Sequence, residues 1–304
     1  MAFYILRTLS LSIALVSSIS LNAQIETALP SSVGMSSAGL EKATTRLQQH
    51  VDDGDIAGVT AAVARDGKLV YFESLGLMDI EKKKPMQTDA LFRTYSMTRQ
   101  ITTVAALMLY QEGKFKMDDP IQMYLPAFEN QRVLIDPQST NINQTKDRLN
   151  DITIQHLITH TSGLGSRSSQ LYRENRVRDK NFTLDQVVSN AAQTPLFQDP
   201  GTEFRYGIHA TILGKLIEVW SGRPLDVFLE NELLSKLDMN STMFWASGGY
   251  QDRVATVYRP TNGELAPYQI ETVPFTNRPQ LIEGGVGLLS SVLDFVKFSQ
   301  MILD

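Results

Sequence analysis

Two short runs of strand-forming residues, joined by an Asp-Gly pair, stand near the beginning of the 304-residue chain. Residues 58–65 are rich in valine and alanine, and residues 68–73 add leucine, valine, tyrosine and phenylalanine. Asp66-Gly67 between them matches the two-residue turn that joins antiparallel strands, because both positions tolerate the positive φ that such a turn requires. The pattern predicts a β-hairpin, and it commits this part of the chain to an antiparallel sheet.

Apolar residues at helical spacing mark several later parts of the chain. Four segments show the pattern: residues 36–51, 97–113, 213–222 and the stretch that begins at Ser291. Capping residues support three of the predicted ends. Ser36 precedes the first helix, Gly222 follows the third, and Ser291 with Asp294 three residues later forms a capping-box pattern at the start of the fourth.

The strongest helical pattern is that of residues 97–113. Its apolar positions fall on one face and predict a mostly buried stripe of Met97, Ile101, Val104, Ala105 and Met108. Residues 135–149 are polar and predict an exposed loop. Strands, then helices, then a glycine-rich segment at residues 284–287 predict one α+β unit with a helical insertion.

The composition excludes several classes of site. The chain has no cysteine, which rules out disulfide scaffolds, iron–sulfur clusters, thiolate zinc sites and a cysteine nucleophile. Four histidines leave little for a metal site, so we expect neither a metal nor a cofactor. The formal net charge of −5 argues against nucleic acid as the main partner, because nucleic-acid binding normally needs a basic face. A small molecule is the expected partner.

The first residues have the pattern of a targeting segment. After Arg7 comes an apolar stretch too short to span a bilayer, and it is followed by Asn22-Ala23-Gln24. The pattern predicts that residues 1–23 are a secretory signal peptide cleaved after Ala23. A membrane anchor is the alternative, but no charged stop-transfer flank follows. We therefore expect a periplasmic or secreted protein without stable membrane insertion.

Ser96 is the strongest candidate for chemistry, because it lies at the start of the best-defined helix. There its hydroxyl is close to the positive end of the helix dipole, and its backbone N–H is available to an oxyanion. Ser96, Arg99 and Thr103 share a face away from the apolar stripe, so that face can line a cleft. A plain N-cap serine is the alternative.

Residues 91–102, Leu-Phe-Arg-Thr-Tyr-Ser-Met-Thr-Arg-Gln-Ile-Thr, resemble the S-x-x-K nucleophile segment of the serine β-lactamase and penicillin-binding-protein superfamily. The resemblance is greatest to class C β-lactamases and family VIII carboxylesterases. Further segments agree in order: Asp118-Asp119-Pro120 before Tyr124-Leu125-Pro126, Leu157 to Leu164, Pro200-Gly201-Thr202 before Tyr206, Leu237 to Phe244, and Gly284 to Leu288.

The resemblance implies a β-lactamase/transpeptidase-like α+β fold, with an antiparallel sheet flanked by helices and a helical lobe. The serine hydrolase domain would be residues 24–304, with an α/β lobe of about 24–95 and 255–304 and a helical lobe of about 96–254.

The same resemblance implies a serine hydrolase that acts through an acyl-enzyme on an ester, a β-lactam or a peptidoglycan-like D-Ala amide. Ser96 would be the nucleophile, and Tyr206 would be the general base that relays protons to and from it. A structural tyrosine is the alternative at that position. β-Lactamases carry asparagine where this chain has Ile208, which favours an esterase.

Two departures from the family pattern put catalysis in question. The motif lysine is Arg99, which keeps the charge but cannot act as the base. The third motif, Lys/His-Ser/Thr-Gly on a late strand, is not found after Gly287. Against the family pattern the C-terminal strands are missing and the sequence is expected to be truncated or partial. A catalytically impaired relative that keeps the fold as a binding module is therefore the alternative function.

Two histidines and the glycine-rich segment have competing interpretations. His160 could form a Ser-His-Asp triad with Ser96, but the family resemblance favours a structural role. His209 could line the cleft, although a partly exposed loop histidine is favoured. The glycines between 284 and 287 could form a phosphate loop, but no Lys-Ser/Thr follows them, so a tight entry into a strand is expected.

Overall fold

The computed structural model describes residues 25–268 and 276–303. The signal peptide predicted for residues 1–23 lies outside the described residues. The strands are β1 Glu26–Thr27, β2 Gly58–Arg65, β3 Lys68–Asp79, β4 Lys84–Pro85, β5 Phe92–Arg93, β6 Val133–Leu134, β7 Thr145–Lys146, β8 Tyr258–Thr261, β9 Glu264–Pro267 and β10 Leu289–Ser290. The α-helices are α1 Ser37–Asp52, α2 Thr98–Gln111, α3 Ile154–Ile158, α4 Gln170–Glu174, α5 Leu184–Gln193, α6 His209–Ser221, α7 Leu225–Leu229 and α8 Val292–Leu303.

The predicted hairpin is confirmed. β2 and β3 pair antiparallel, and the pairs run from Gly58 with Gly76 to Arg65 with Lys68. Asp66 and Gly67 have φ values of 51° and 71°, which give the tight turn its sharp reversal. β1 pairs with β3 in parallel, so this small sheet is mixed and not purely antiparallel as expected.

The predicted helix ends are confirmed where a capping residue marked them. The Ser36 side chain accepts a hydrogen bond from the Gly39 N–H at 3.1 Å, and α1 begins at the next residue. Gly222 ends α6 with a left-handed φ of 69°. Ser291 accepts from the Asp294 N–H at 3.2 Å and caps α8.

The buried face of α2 differs from the predicted stripe. Ile101 and Ala105 are fully buried as expected, but Met97 is 45% exposed. The face is instead completed by two threonines, Thr98 and Thr102, which are fully buried. The apolar pattern missed them because both hydroxyls find hydrogen-bond partners on another segment, which lets them replace apolar groups in the interior.

The largest apolar core lies around α2 and α6, which pack against each other and place Ile101, Leu109, Leu213 and Leu216 in it. Because α2 begins at Thr98, shortly after Ser96, and α6 begins at His209, shortly after Tyr206, this packing sets the relative position of the two candidate catalytic residues. The α+β class is confirmed. The predicted division into lobes stays a prediction.

Other connections frame the site. β10 pairs antiparallel with β5, directly before Ser96. The expected loop of residues 135–149 is mostly irregular, and its residues Thr145–Lys146 pair with β6. Within residues 25–268 and 276–303 no helix is long and apolar enough to span a bilayer.

Candidate active site

Ser96 lies in a single 3₁₀ turn, Tyr95–Met97, that leads from β5 into α2. The turn begins with an unusual backbone, since Tyr95 has a φ of 41°. A bulky residue with positive φ carries a strain of about 1–3 kcal/mol, and such residues cluster at functional sites. The Ser96 side chain is half-buried. Ser96 thus lies at the N-terminal end of α2, as predicted.

Three threonines form hydrogen bonds to the backbone of the glycine-rich segment. Thr94 lies before α2, and Thr98 and Thr102 lie within it. The Thr94 hydroxyl donates to the Leu288 carbonyl at 2.9 Å, and the Leu288 N–H donates to Thr98 Oγ1 at 3.2 Å. One turn further on, Thr102 Oγ1 donates to the Gly284 carbonyl at 2.8 Å. These bonds hold residues 284–288 beside the nucleophile segment and lead into β10, which supports the predicted strand entry.

Gly284 is a position where a side chain would not fit. A Cβ there would lie 2.8 Å from the Ala210 carbonyl oxygen and 2.9 Å from Thr102 Cγ2. The glycine therefore allows its segment to run between α2 and α6 in close contact with both helices.

Tyr206 and Arg99 are brought together by the packing of α2 on α6. The Arg99 guanidinium carbon lies 4.4 Å from the centre of the Tyr206 ring, and Arg99 Nη1 donates to the Gly207 carbonyl at 2.7 Å. Tyr206 is 46% exposed, so it is not the buried structural tyrosine of the alternative interpretation. Burial lowers the pKa of Arg99, but the neighbouring Tyr206 and Glu283 oppose this, and the guanidinium remains charged at neutral pH.

Two histidines complete the surroundings of Tyr206. The His160 ring is stacked parallel to the Tyr206 ring with centroids 5.3 Å apart, and it lies 4.5 Å from the His209 ring. Burial lowers the pKa of His160, and the positive charge of Arg99 lowers it further. Burial, with contributions from His160 and Arg99, lowers the pKa of His209 to about 3. Both imidazoles are therefore neutral at neutral pH.

The expectation of a partly exposed loop position for His209 is wrong. His209 is the first residue of α6 and is 1% exposed, and neither ring nitrogen has a hydrogen-bond partner among the described residues. The triad through His160 is not formed either. His160 Nδ1 is buried without a partner in the described part of the chain, so no carboxylate orients the ring as a triad requires.

Glu283 is a site residue that the sequence did not reveal. It is buried directly before Gly284, and its carboxylate accepts from Arg178 Nε at 2.6 Å and from Thr211 Oγ1 at 3.0 Å. Its negative charge supports the charged form of Arg99. No local pattern could identify it, because its partners lie 105 and 72 residues away along the chain.

The described residues contain no group of three His, Asp or Glu side chains placed to hold a metal ion. The side chains that the fold brings to Ser96 and its surroundings offer a half-buried hydroxyl, an exposed phenol and a half-buried guanidinium.

A family model described as Beta-lactamase matches residues 43–304. The chain belongs to the beta-lactamase family. Protein Rv1367c of Mycobacterium tuberculosis is 30% identical over 260 residues, which cover 84% of this chain and 65% of that protein. Esterase EstB of Burkholderia gladioli is 31% identical over 197 residues, which cover 62% of this chain and 47% of that protein.

Solved structures give the same result for the fold. The structure titled "EstCE1, a hydrolase with promiscuous acyltransferase activity" has a TM-score of 0.77 and 27% identity, and the match covers 86% of this chain and 72% of that one. The β-lactamase/transpeptidase-like fold is thus confirmed. The chain spans about two thirds or less of the length of the curated relatives named above.

Proposed function

We propose that this member of the beta-lactamase family is an exported serine hydrolase that cleaves carboxylic esters through an acyl-enzyme on Ser96. The observation that carries the proposal is the contact between Arg99 and Tyr206. It joins the helix that follows Ser96 to the segment that carries Tyr206, and it places a positive charge over the phenol ring. The similarity to Esterase EstB, together with that to EstCE1, which is titled a hydrolase with promiscuous acyltransferase activity, supports an ester over a β-lactam as substrate.

Acylation would begin with attack of Ser96 Oγ on the ester carbonyl carbon. The phenolate form of Tyr206 takes the hydroxyl proton as the Oγ–C bond forms, and the carbonyl electron pair moves to oxygen. The Ser96 N–H at the helix start is one donor for that oxyanion. When the intermediate collapses, Tyr206 returns the proton to the leaving alcohol, and an acyl ester remains on Ser96. In deacylation, Tyr206 takes a proton from water as the water oxygen attacks the acyl carbon. The acid is released, and the proton returns to Ser96 Oγ.

Arg99 acts in this scheme as a fixed cation and not as a base. A guanidinium keeps its proton at any physiological pH. Its bond to the Gly207 carbonyl holds the guanidinium over the Tyr206 ring, so the positive charge stays next to the residue assigned as the base. Tyr206 is thereby assigned the whole of the proton transfer.

The second candidate function is a binding module that has lost catalysis. One observation favours it: the residue in the motif lysine position, Arg99, cannot accept a proton from Ser96. Both candidates predict that small molecules enter the cleft at Ser96, but only the hydrolase turns them over.

Steady-state hydrolysis separates the two functions. Purified protein without residues 1–23 should hydrolyse p-nitrophenyl butyrate, and should do so faster than it opens the β-lactam nitrocefin. Ser96→Ala should abolish ester turnover, and Tyr206→Phe should reduce it by about a hundredfold or more while leaving the fold intact. Wild-type protein that is folded but turns over neither compound would contradict the hydrolase.

A further inference from the structure

A cavity of about 420 Å³ lies beside α7, on a part of the molecule that shares no lining residue with the site at Ser96. Its volume falls within the range of small-molecule sites. The walls combine aromatic and aliphatic side chains with two carboxylates, and those the argument uses are Asp226, Glu230, Phe244, Trp245 and Tyr250. The cavity is therefore apolar with a negative charge on one wall.

Asp226 is the buried carboxylate of this cavity. Its side chain is 9% exposed, and Oδ1 is buried without a hydrogen-bond partner among the described residues. A buried acceptor left unpaired costs about 1–3 kcal/mol, and more when it is charged. Because Oδ1 has no accessible surface, the carboxylate oxygen open to a ligand is Oδ2.

A side chain of the protein, Arg278, shows that this wall of the cavity binds a cation. Arg278 Nη2 donates to Asp226 Oδ2 at 3.0 Å, and the guanidinium carbon lies 5.8 Å from the Trp245 ring centre. The arrangement is a cation held between a carboxylate and an aromatic face. Yet the Arg278 side chain is 56% exposed and leaves Oδ1 unpaired, so it does not fill the site.

The backbone next to Asp226 is also unusual. Residues Glu230–Leu234, which follow α7 and contribute Glu230 and Leu234 to the cavity, form a π-helical turn. Such turns are rare and occur frequently at functional sites. Glu230 and Asp226 both line the cavity.

We propose that this cavity is a binding site for a small organic cation. An ammonium or guanidinium group would take the place of Arg278 at Asp226 Oδ2, and an apolar or aromatic body would pack against Phe244, Trp245 and Tyr250. The ligand would compete with Arg278 for the same carboxylate. The proposed site is separate from the acylation site, because Ser96, Arg99 and Tyr206 do not line the cavity.

The cavity is nevertheless connected to the strand that precedes Ser96. Met243 on its wall forms a β-bridge with Leu289, and Leu289 pairs with Arg93 on β5. The Phe244 ring packs so closely on Gly287 that a Cβ there would lie 2.8 Å from Cδ1. A bound cation would thus lie near residues 284–288, the segment that the threonine hydrogen bonds hold beside Ser96.

Titration with matched probes tests the proposal. Benzylammonium carries the cation on an aromatic body, and benzyl alcohol is its neutral counterpart. The chain has two tryptophans, and Trp220 is stacked on Phe115 in the core, so Trp245 reports on the cavity. We expect saturable fluorescence change and calorimetric heat with benzylammonium, and binding at least about tenfold weaker with benzyl alcohol.

Variants assign the binding to this cavity. Asp226→Asn should weaken benzylammonium binding at least about tenfold, and Arg278→Gln should strengthen it several-fold because the internal competitor is gone. Trp245→Phe should remove the fluorescence change while heat is still released. Equal affinity for the two probes, no saturable heat at millimolar concentration, or unchanged affinity in both folded variants would overturn the proposal.

Discussion

At the residue scale, Arg99 is the feature that separates this chain from the S-x-x-K pattern. Its guanidinium is held by the Gly207 carbonyl and lies over the Tyr206 ring. Lysine in that position could both carry charge and exchange a proton, whereas arginine supplies the charge alone. In the proposed mechanism, Arg99 therefore supplies charge and Tyr206 alone transfers the proton.

Substitution of Arg99 tests that division. Arg99→Met should slow acylation of Ser96 by about a hundredfold, because the cation over Tyr206 is lost. Arg99→Lys should acylate at least as fast as the wild type, since an ammonium retains the charge and can exchange a proton. Stopped-flow burst kinetics with a p-nitrophenyl ester measure the rate.

Arg205→Met is the matched control for Arg99→Met. Arg205 is the residue before Tyr206, but its guanidinium lies over the Phe197 ring at 4.9 Å and its Nε donates to Gln198 Oε1. Its acylation rate should stay near that of the wild type. A fast Arg99→Met variant would show that Arg99 takes no part in the chemistry.

His209 gives the protein a dependence of stability on pH. Its pKa is about 3 in the folded state, against about 6.5 for an ordinary histidine, so the unfolded chain binds the proton more readily. The stabilisation is complete above pH of about 6.5 and is lost as the pH falls toward 3. His209 alone contributes a slope of up to about 1.4 kcal/mol per pH unit in that window.

Urea unfolding of wild type and His209→Leu between pH 7.5 and pH 4.5 measures this slope. The variant should lose stability with falling pH less steeply than the wild type, whatever its stability at pH 7.5. Parallel slopes for the two proteins would contradict the burial of a neutral imidazole at this position.

At the scale of elements, α2 positions the site through its threonines as much as through its apolar face. Thr98 and Thr102 are buried and bond to the backbone of Leu288 and Gly284. A helix that was apolar on this side would pack against the glycine-rich segment but would leave its carbonyl and N–H groups unpaired. The register of that segment beside Ser96 depends on these bonds.

Thr102→Val removes one of the bonds while keeping the shape of the side chain. We expect the free energy of unfolding to fall by about 1–3 kcal/mol, because the Gly284 carbonyl is left buried without its donor. Thr103→Val is the control, since Thr103 is half-buried and makes no side-chain hydrogen bond within the described residues. Chemical unfolding should show the control within about 0.5 kcal/mol of the wild type.

At the scale of the whole molecule, local patterns were enough to predict the hairpin, the helix ends and the position of Ser96. The turn at Asp66-Gly67 and the cap at Gly222 are determined by a few neighbouring residues, so the sequence shows them directly. The resemblance to the family added Tyr206, which no local pattern distinguishes from a structural tyrosine.

What the sequence could not show depends on contacts between distant segments. The burial of His209, the role of Glu283 and the threonine bonds of α2 arise only when α6 and the glycine-rich segment pack on α2. Thr102 and Gly284 are 182 residues apart, and no periodicity within either segment reports on the other. For the same reason the predicted apolar stripe of α2 was wrong at Met97.

The central claim is that Ser96 is the acylated nucleophile, and covalent labelling tests it most directly. The folded protein would be treated with a fluorophosphonate, digested and mapped by mass spectrometry. We expect one phosphonyl adduct, on the peptide that contains Ser96, and none in Ser96→Ala. A folded wild-type protein that stays unlabelled, or that carries the adduct on another residue, would contradict the assignment.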